Sequence, residues 1–404
     1  MPGTAPGLSS PKPPAAPSGF TRGFSEAEFR ARTARAQSLM AEAGLDALLL
    51  TTEPDIRYVT GFLTRFWESP TRPWFVVVPA ASDPVAVIPA IGADLMARTW
   101  VTDIRTWPSP NPGDDGITLL AETIAALVPG TGRLGTPMGP ETHLRMPLDS
   151  WRALAHALAP RTISGDAGIL ASLRAIKSPA EIAKIQAACD VASRAFGRVP
   201  EIASVGTPLS SVFRRFQALC LDEGADWVAY LAGGAGQGGY ADVISPATDA
   251  PLAPGDVLML DTGLVVDGYF CDFDRNFAVP PVSPLTDAAH ARLIDAFEAG
   301  LAAARPGARA ADLFHAMDGI LTGGLAPPGR LGHGLGMQLT EGLSLIPQDE
   351  TVLAPGMVLT LEPALALPSG RILVHEENIV IAEDGARLLS SPAPRAMPRL
   401  QAAL

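Results

Sequence analysis

Cysteine, positive charge and long apolar runs are all scarce in this chain, and each scarcity excludes something. Three cysteines among 404 residues, Cys189, Cys220 and Cys271, cannot form a disulfide framework and share no metal-site spacing, which fits a reducing compartment. Lys and Arg number 30 against 42 Asp and Glu, a net charge of −12. With no basic cluster either, nucleic acid and anionic membrane surfaces are not expected partners. No apolar stretch approaches the roughly 18 residues that span a bilayer. The opening MPGTAPGLSSPKPPAAPSGF lacks an apolar core segment, so it reads as a disordered tail over 1–24, not a secretory leader. The expectation is a soluble, cytoplasmic protein.

What is present is apolar. At 47% hydrophobic, the chain can build two cores. Ser25-Glu-Ala-Glu28 is a capping box for a helix that stops at Gly44. LDALLLT, PWFVVVP and PVAVIP read as buried strands, alternating with helices such as GITLLAETIAALV, which predicts an α/β domain over 25–170. From Pro179 the pattern changes to blocks of helices and strand clusters. An α+β domain over 171–391 is expected, followed by a Pro-rich tail at 392–404.

Two stretches in the second half repeat each other. LAPGDVLMLD (Leu252 to Asp261) and LAPGMVLTLE (Leu353 to Glu362) agree at seven of ten positions and both end on an acid. Each is a Pro-Gly turn followed by a buried strand. Each leads through a second turn to a return strand carrying another acid, Asp272 in one copy and Glu376 in the other. If a pseudo-twofold axis relates the copies, the four acids converge. Four buried carboxylates cannot all stay ionised without protons or cations among them. Two divalent metals would balance them, and His333 in GRLGHGLGMQLTE supplies a neutral imidazole. One imidazole among oxygens favours Mn, Fe or Co, with Zn also open. Such a pair would activate water near neutral pH.

The set Asp261, Asp272, His333, Glu362 and Glu376, with GHGLG before LTLEP, resembles the dinuclear centre of the "pita-bread" superfamily. That superfamily comprises creatinase, aminopeptidase P, prolidase and methionine aminopeptidase. AGLDALLLTTEPDIRYVTGF is similar to its creatinase-type N-terminal domain. The resemblance implies a creatinase-like α/β domain plus a pita-bread catalytic domain with a pseudo-twofold repeat. It also implies that Asp272 and Glu376 bridge two metals, that Asp261 binds one and His333 with Glu362 the other, and that the protein is a homodimer acting on a small molecule or short peptide.

The family's two further histidines are not matched: Thr340 and Ile244 stand at their spacings. Ala366 and Val374 stand where the family has tyrosine and arginine, and Asp272-Phe-Asp274-Arg275 where it has aspartate-threonine-arginine. Thr340, Glu341 and Asp274 are therefore the candidate substrate-handling or acid/base groups. Trp67, Ile244 and His375 are candidate pocket residues, although strand alternation turns His375 away from Glu376. The expected function is a metal-dependent hydrolase of the Xaa-Pro aminopeptidase or dipeptidase type, cleaving a C–N bond of a small peptide or amide. The alternatives are a non-peptidase enzyme on the same metals, such as a dimethylsulfoniopropionate lyase, and a non-catalytic binding module.

Overall fold

The computed structural model describes residues 19–69, 72–321 and 329–400. The tail expected at 1–24 falls mostly outside them, as do the last four residues of the one expected at 392–404. The chain divides into two compact units. One is Thr21–Ala180 with the short return segment Gly336–Gly342; the other contains Glu181–Leu335 and Leu343–Leu404.

The N-terminal unit opens with helix α1 (Glu26–Ala43). Ser25 caps it by accepting the Glu28 N–H, and Gly44 ends it in the left-handed conformation at φ 65°. Strands β1 (Ala47–Leu50), β2 (Phe75–Pro79), β3 (Val85–Pro89), β4 (Asp103–Trp107), β5 (Arg133–Thr136) and β6 (Thr162–Gly165) form one mixed sheet in the order β4-β3-β2-β1-β5-β6. β1 to β3 are buried along their whole length, which is why they read as unbroken apolar runs and not as alternating ones. Leu49, Phe75, Val77, Trp107, Ile124 and Leu154 form part of the core on this sheet.

The other unit carries the repeat. Helices α2 (Leu209–Asp222), α3 (Pro284–Ala303) and α4 (Ala310–Leu321) accompany two antiparallel sheets. The first joins β7 (Trp227–Gln237), β8 (Asp256–Val266), β9 (Tyr269–Phe270) and β10 (Phe273–Ala278), with β8 in the middle. The second runs β11-β12-β15-β16, from β11 (Gly332–Gly334), β12 (Val358–Leu361), β15 (Glu377–Ala382) and β16 (Gly385–Leu388). A two-stranded ribbon, β13 (Ala364–Ala366) with β14 (Ile372–Val374), links β12 to β15.

The two copies of the repeat fold alike down to single hydrogen bonds. Each Pro-Gly turn closes with an N–H to the carbonyl three residues back, Asp256 to Ala253 (3.1 Å) and Met357 to Ala354 (3.2 Å). The glycines adopt φ 93° at Gly255 and 91° at Gly356, the left-handed value that the third residue of a type II turn requires. Each glycine N–H then docks on the far end of its own return strand, Gly255 on the Val279 carbonyl and Gly356 on that of Ile381. The acids then differ in place: β12 ends one residue before Glu362, whereas β8 runs on past Asp261 to Val266.

Candidate metal centre

Asp261 lies on β8, opposite Asp274 on β10. Asp272 sits in the short link between β9 and β10, His333 on β11, Glu362 just past β12, and Glu376 just before β15. Asp272, His333 and Glu376 are all buried and present ligand atoms within 4.8 Å of one another. His333 Nε2 is 3.3 Å from Asp272 Oδ2. His333 Nδ1 is 3.0 Å from the Gly334 carbonyl, which can only accept. The proton is thus held on Nδ1 and the Nε2 lone pair is left facing the acids, the tautomer a metal ligand needs.

The donor set fits a divalent cation. Asp261 Oδ1 is a buried oxygen with no hydrogen-bond partner, an arrangement that costs free energy unless a cation or proton satisfies it. Burial raises Asp261 well above the ordinary carboxylate range, and Asp272, Asp274 and Glu362 add to it. Burial likewise raises Asp272, reinforced by Glu362 and opposed by Arg330. Glu376 is raised by burial and by Asp272, Asp261 and Glu362, while Thr360 opposes. These carboxylates are costly as anions only while nothing positive stands between them.

Several groups around this centre were not legible in the sequence. Thr360 Oγ1, opposite His333 on β12, donates a short hydrogen bond to Glu376 Oε1. Arg330 Nε donates to Glu362 Oε1 at 3.2 Å. Tyr230 on β7 lies close enough to feel these acids: burial raises its pKa, and Asp261, Asp272 and Glu376 add to the rise. Each lies beside its acid only through strand pairing or a chain reversal. Thr360, as the residue two before the repeated acid, carried the one faint signal.

Glu341 is buried in the N-terminal unit, paired with Arg174 and, at 3.0 Å, with Lys177. Burial works to raise Glu341, but the two cations overcome it and bring the group down to about 2. It is therefore a fixed anion in an ion-pair cluster with Asp55 on the far side of Arg174. Thr340 and Glu341 line a cavity of about 470 Å³ in the same unit, together with Asp55, His143 and Arg174. Trp67, expected in a loop, belongs to a 3₁₀ turn and packs on Trp74 with ring centres 5.8 Å apart. Ile244, expected as an apolar wall, is 79% exposed. Its backbone N–H is held by Asp242.

His375 does turn away from the acid cluster. Its nitrogens lie 3.6 Å from Asp274 Oδ1 and 3.4 Å from Glu377 Oε1, and the ring meets Phe297 edge-on. Burial lowers its pKa to about 4 against the pull of Glu377, so the ring is neutral at pH 7. Asp274 is raised by burial to about 7, with Arg275 opposing. Its Oδ1 accepts the backbone N–H of Glu376 at 2.8 Å.

Comparison with known proteins gives this geometry a family. The creatinase/prolidase N-terminal domain matches residues 32–176, and metallopeptidase family M24 matches residues 183–384. A probable dipeptidase, PepE, of Mycobacterium tuberculosis is 27% identical over 91% of this chain and 95% of its own length. The crystal structure of dipeptidase PepE from Mycobacterium ulcerans superposes with a TM-score of 0.81 at 26% identity, covering 94% of this chain and 99% of that one. A prolidase from Thermococcus sibiricus shares the fold at a TM-score of 0.82 and 21% identity, over 92% and 99% of the two chains. With half of its length matching the family's catalytic model, this chain belongs to metallopeptidase family M24, the metal-dependent hydrolases of peptide C–N bonds.

Proposed function

We propose that the protein is a dinuclear metallopeptidase of the Xaa-Pro dipeptidase or aminopeptidase type, acting on a short peptide or small amide. The observation that carries this reading is the buried Asp272–His333–Glu376 cluster, flanked by Asp261 with its unpartnered oxygen and by Glu362. Asp261, Asp272, His333, Glu362 and Glu376 would hold two divalent ions, Mn or Fe being favoured over Co and Zn by the oxygen-rich shell. When bound, the ions supply an activated water and polarise the scissile carbonyl. Asp272 and Glu376 would be the acids that serve both ions. His333 presents Nε2, and Arg330 and Thr360 hold one oxygen each of Glu362 and Glu376. Tyr230 on β7 is a phenol whose pKa Asp261, Asp272 and Glu376 all raise.

Substrate handling differs from a peptidase that brings two extra histidines. Neither position carries an imidazole: Thr340 has no pKa useful for proton transfer, and Ile244, 79% exposed, has no polar side-chain atom. Substrates whose leaving group needs little protonation are therefore preferred. The experiment compares Xaa-Pro dipeptides, activated amides and dimethylsulfoniopropionate on one metal-loaded preparation. The reading expects metal-dependent C–N hydrolysis, with activated amides ahead of plain dipeptides. Xaa-Pro turnover at roughly 10 s⁻¹ or more would overturn the substrate preference, and cleavage of the sulfonium compound alone would overturn the peptidase assignment. A cytoplasmic homodimer is part of the same proposal. It is supported by the family membership, and a monomer with full activity in sedimentation would refute it. Among the described residues no helix is long and apolar enough to cross a membrane.

A further inference from the structure

Two buried side chains tie the two halves of the centre to each other. Asp274 stands two residues beyond Asp272, and Asn378 two residues beyond Glu376. Asp274 Oδ1 accepts the N–H of Glu376 at 2.8 Å. Asn378 does the converse and does it twice: its Oδ1 accepts the N–H of Asp272 at 2.9 Å, and its Nδ2 donates to the Asp272 carbonyl at 2.5 Å. Asp274 belongs to the β8–β10 sheet and Asn378 to the β12–β15 sheet, so all three bonds run between sheets. Each return strand thus carries, two residues past its own acid, the group that fixes the backbone of the other strand's acid.

We infer that Asp274 and Asn378 are reciprocal positioning residues, which set the separation of the Asp272 and Glu376 carboxylates before any ion arrives. The inference rests on the proposed metal-holding role of those two acids. Both residues are essentially inaccessible, at 1% and 0% exposure, and both are themselves held. Asn276 Nδ2 donates to Asp274 Oδ2 at 3.3 Å, and the Cys189 thiol donates to Asn378 Oδ1 at 3.3 Å. The Asn378 N–H is held by Ser390 Oγ at 3.0 Å. A clamp of this kind matters because the acids sit in links between strands, where no ladder of sheet hydrogen bonds holds the backbone. Ordering them in advance removes a cost that ion binding would otherwise bear. An aspartate is suited to the place: its acceptor oxygen reaches a backbone N–H that would otherwise be buried and unpaired.

The test compares Asp274→Leu and Asn378→Leu, which remove the bonds, with Asp274→Asn, which keeps an acceptor oxygen. Mn(II) and Co(II) affinity is measured by calorimetry and the Co(II) absorption spectrum recorded, with folding checked by circular dichroism. Both leucine variants are expected to bind ions about 10–100-fold more weakly with an altered Co(II) spectrum, and Asp274→Asn to recover most of the affinity. Folded leucine variants with unchanged affinity and spectrum overturn the inference. Hydrogen exchange of the Asp272 and Glu376 amides in the unaltered protein needs no variant to fold. Slow exchange already present with a chelator is the expected result. Fast exchange that slows only on adding Mn(II) would mean that the ion, not the clamp, orders the links. If the unaltered protein binds neither ion, the metal proposal fails by itself, while the exchange measurement still judges the clamp.

Discussion

His333 Nε2 faces Asp272 Oδ2 across 3.3 Å while its Nδ1 is held on the Gly334 carbonyl at 3.0 Å. The imidazole is thereby fixed in orientation and tautomer from one side and offered to the acids on the other. If Asp272 and Glu376 bridge and His333 does not, their substitutions separate. Glu376→Gln should abolish binding of both ions, and His333→Ala should lower the content from about two equivalents towards one. Metal analysis after equilibration with Mn(II) reads the difference, and equal losses in the two variants would contradict the assignment.

Without ions, Asp261, Asp272 and Glu376 are held above the usual carboxylate range by burial and by one another, and Asp274 is raised to about 7. Acids with raised folded pKa values bind more protons folded than unfolded above the unfolded value of about 4. Their contribution is complete below that value and is lost as pH rises through the folded one. The chelated protein should therefore lose urea stability between pH 5 and 8. The Mn-loaded protein should gain it, because ions select ionised ligands. Parallel slopes with and without chelator would count against this account.

Gly332 precedes the metal histidine at φ 147°, and a Cβ built there lies 2.2 Å from the Thr360 carbonyl oxygen. Backbone against backbone cannot yield as a flexible side chain would. Gly332→Ala should destabilise the protein by about 2–4 kcal/mol and weaken metal binding through His333. Denaturant midpoints together with Co(II) titration check both parts.

Glu341, brought down to about 2 by Arg174 and Lys177 against its burial, contributes stability present above the unfolded value of about 4.3 and lost as pH falls towards 2. Glu341→Gln leaves Lys177 buried without its anion and Arg174 with Asp55 as its remaining anion beside the Gln338 amide oxygen, so a loss of about 3–5 kcal/mol is expected. Thermal melting at pH 7 measures it. If Glu341 were the general base instead, the variant would keep its stability and lose only turnover.

How much of this was legible beforehand depended on the range of the interaction. Caps and turns are local: Ser25 and Gly44 bound α1 in the structure as their types predict. The two Pro-Gly turns adopt matching left-handed glycines because that geometry belongs to the tripeptide. The repeat with its matched acids was legible for the same reason, since each turn and the acid that follows it are written within ten residues. Asp272, His333 and Glu376 do meet. For Glu341 the sequence leaves an acid/base role and a structural salt bridge equally open; the fold sets it against Arg174 and Lys177, distant in sequence.

The amino-acid sequence by itself determined the two-domain class, the turns that open both strands, and the acids that follow them, because propensity, turn type and charge are properties of a few adjacent residues. Only the tertiary structure decided which oxygen of Asp261 stays unpartnered and which nitrogen of His333 faces the acids. It alone brought Asp274 to the backbone of Glu376 and Asn378 to that of Asp272. Those contacts join strands about a hundred residues apart, and their partners are chosen by how two sheets pack, which no short stretch of sequence contains.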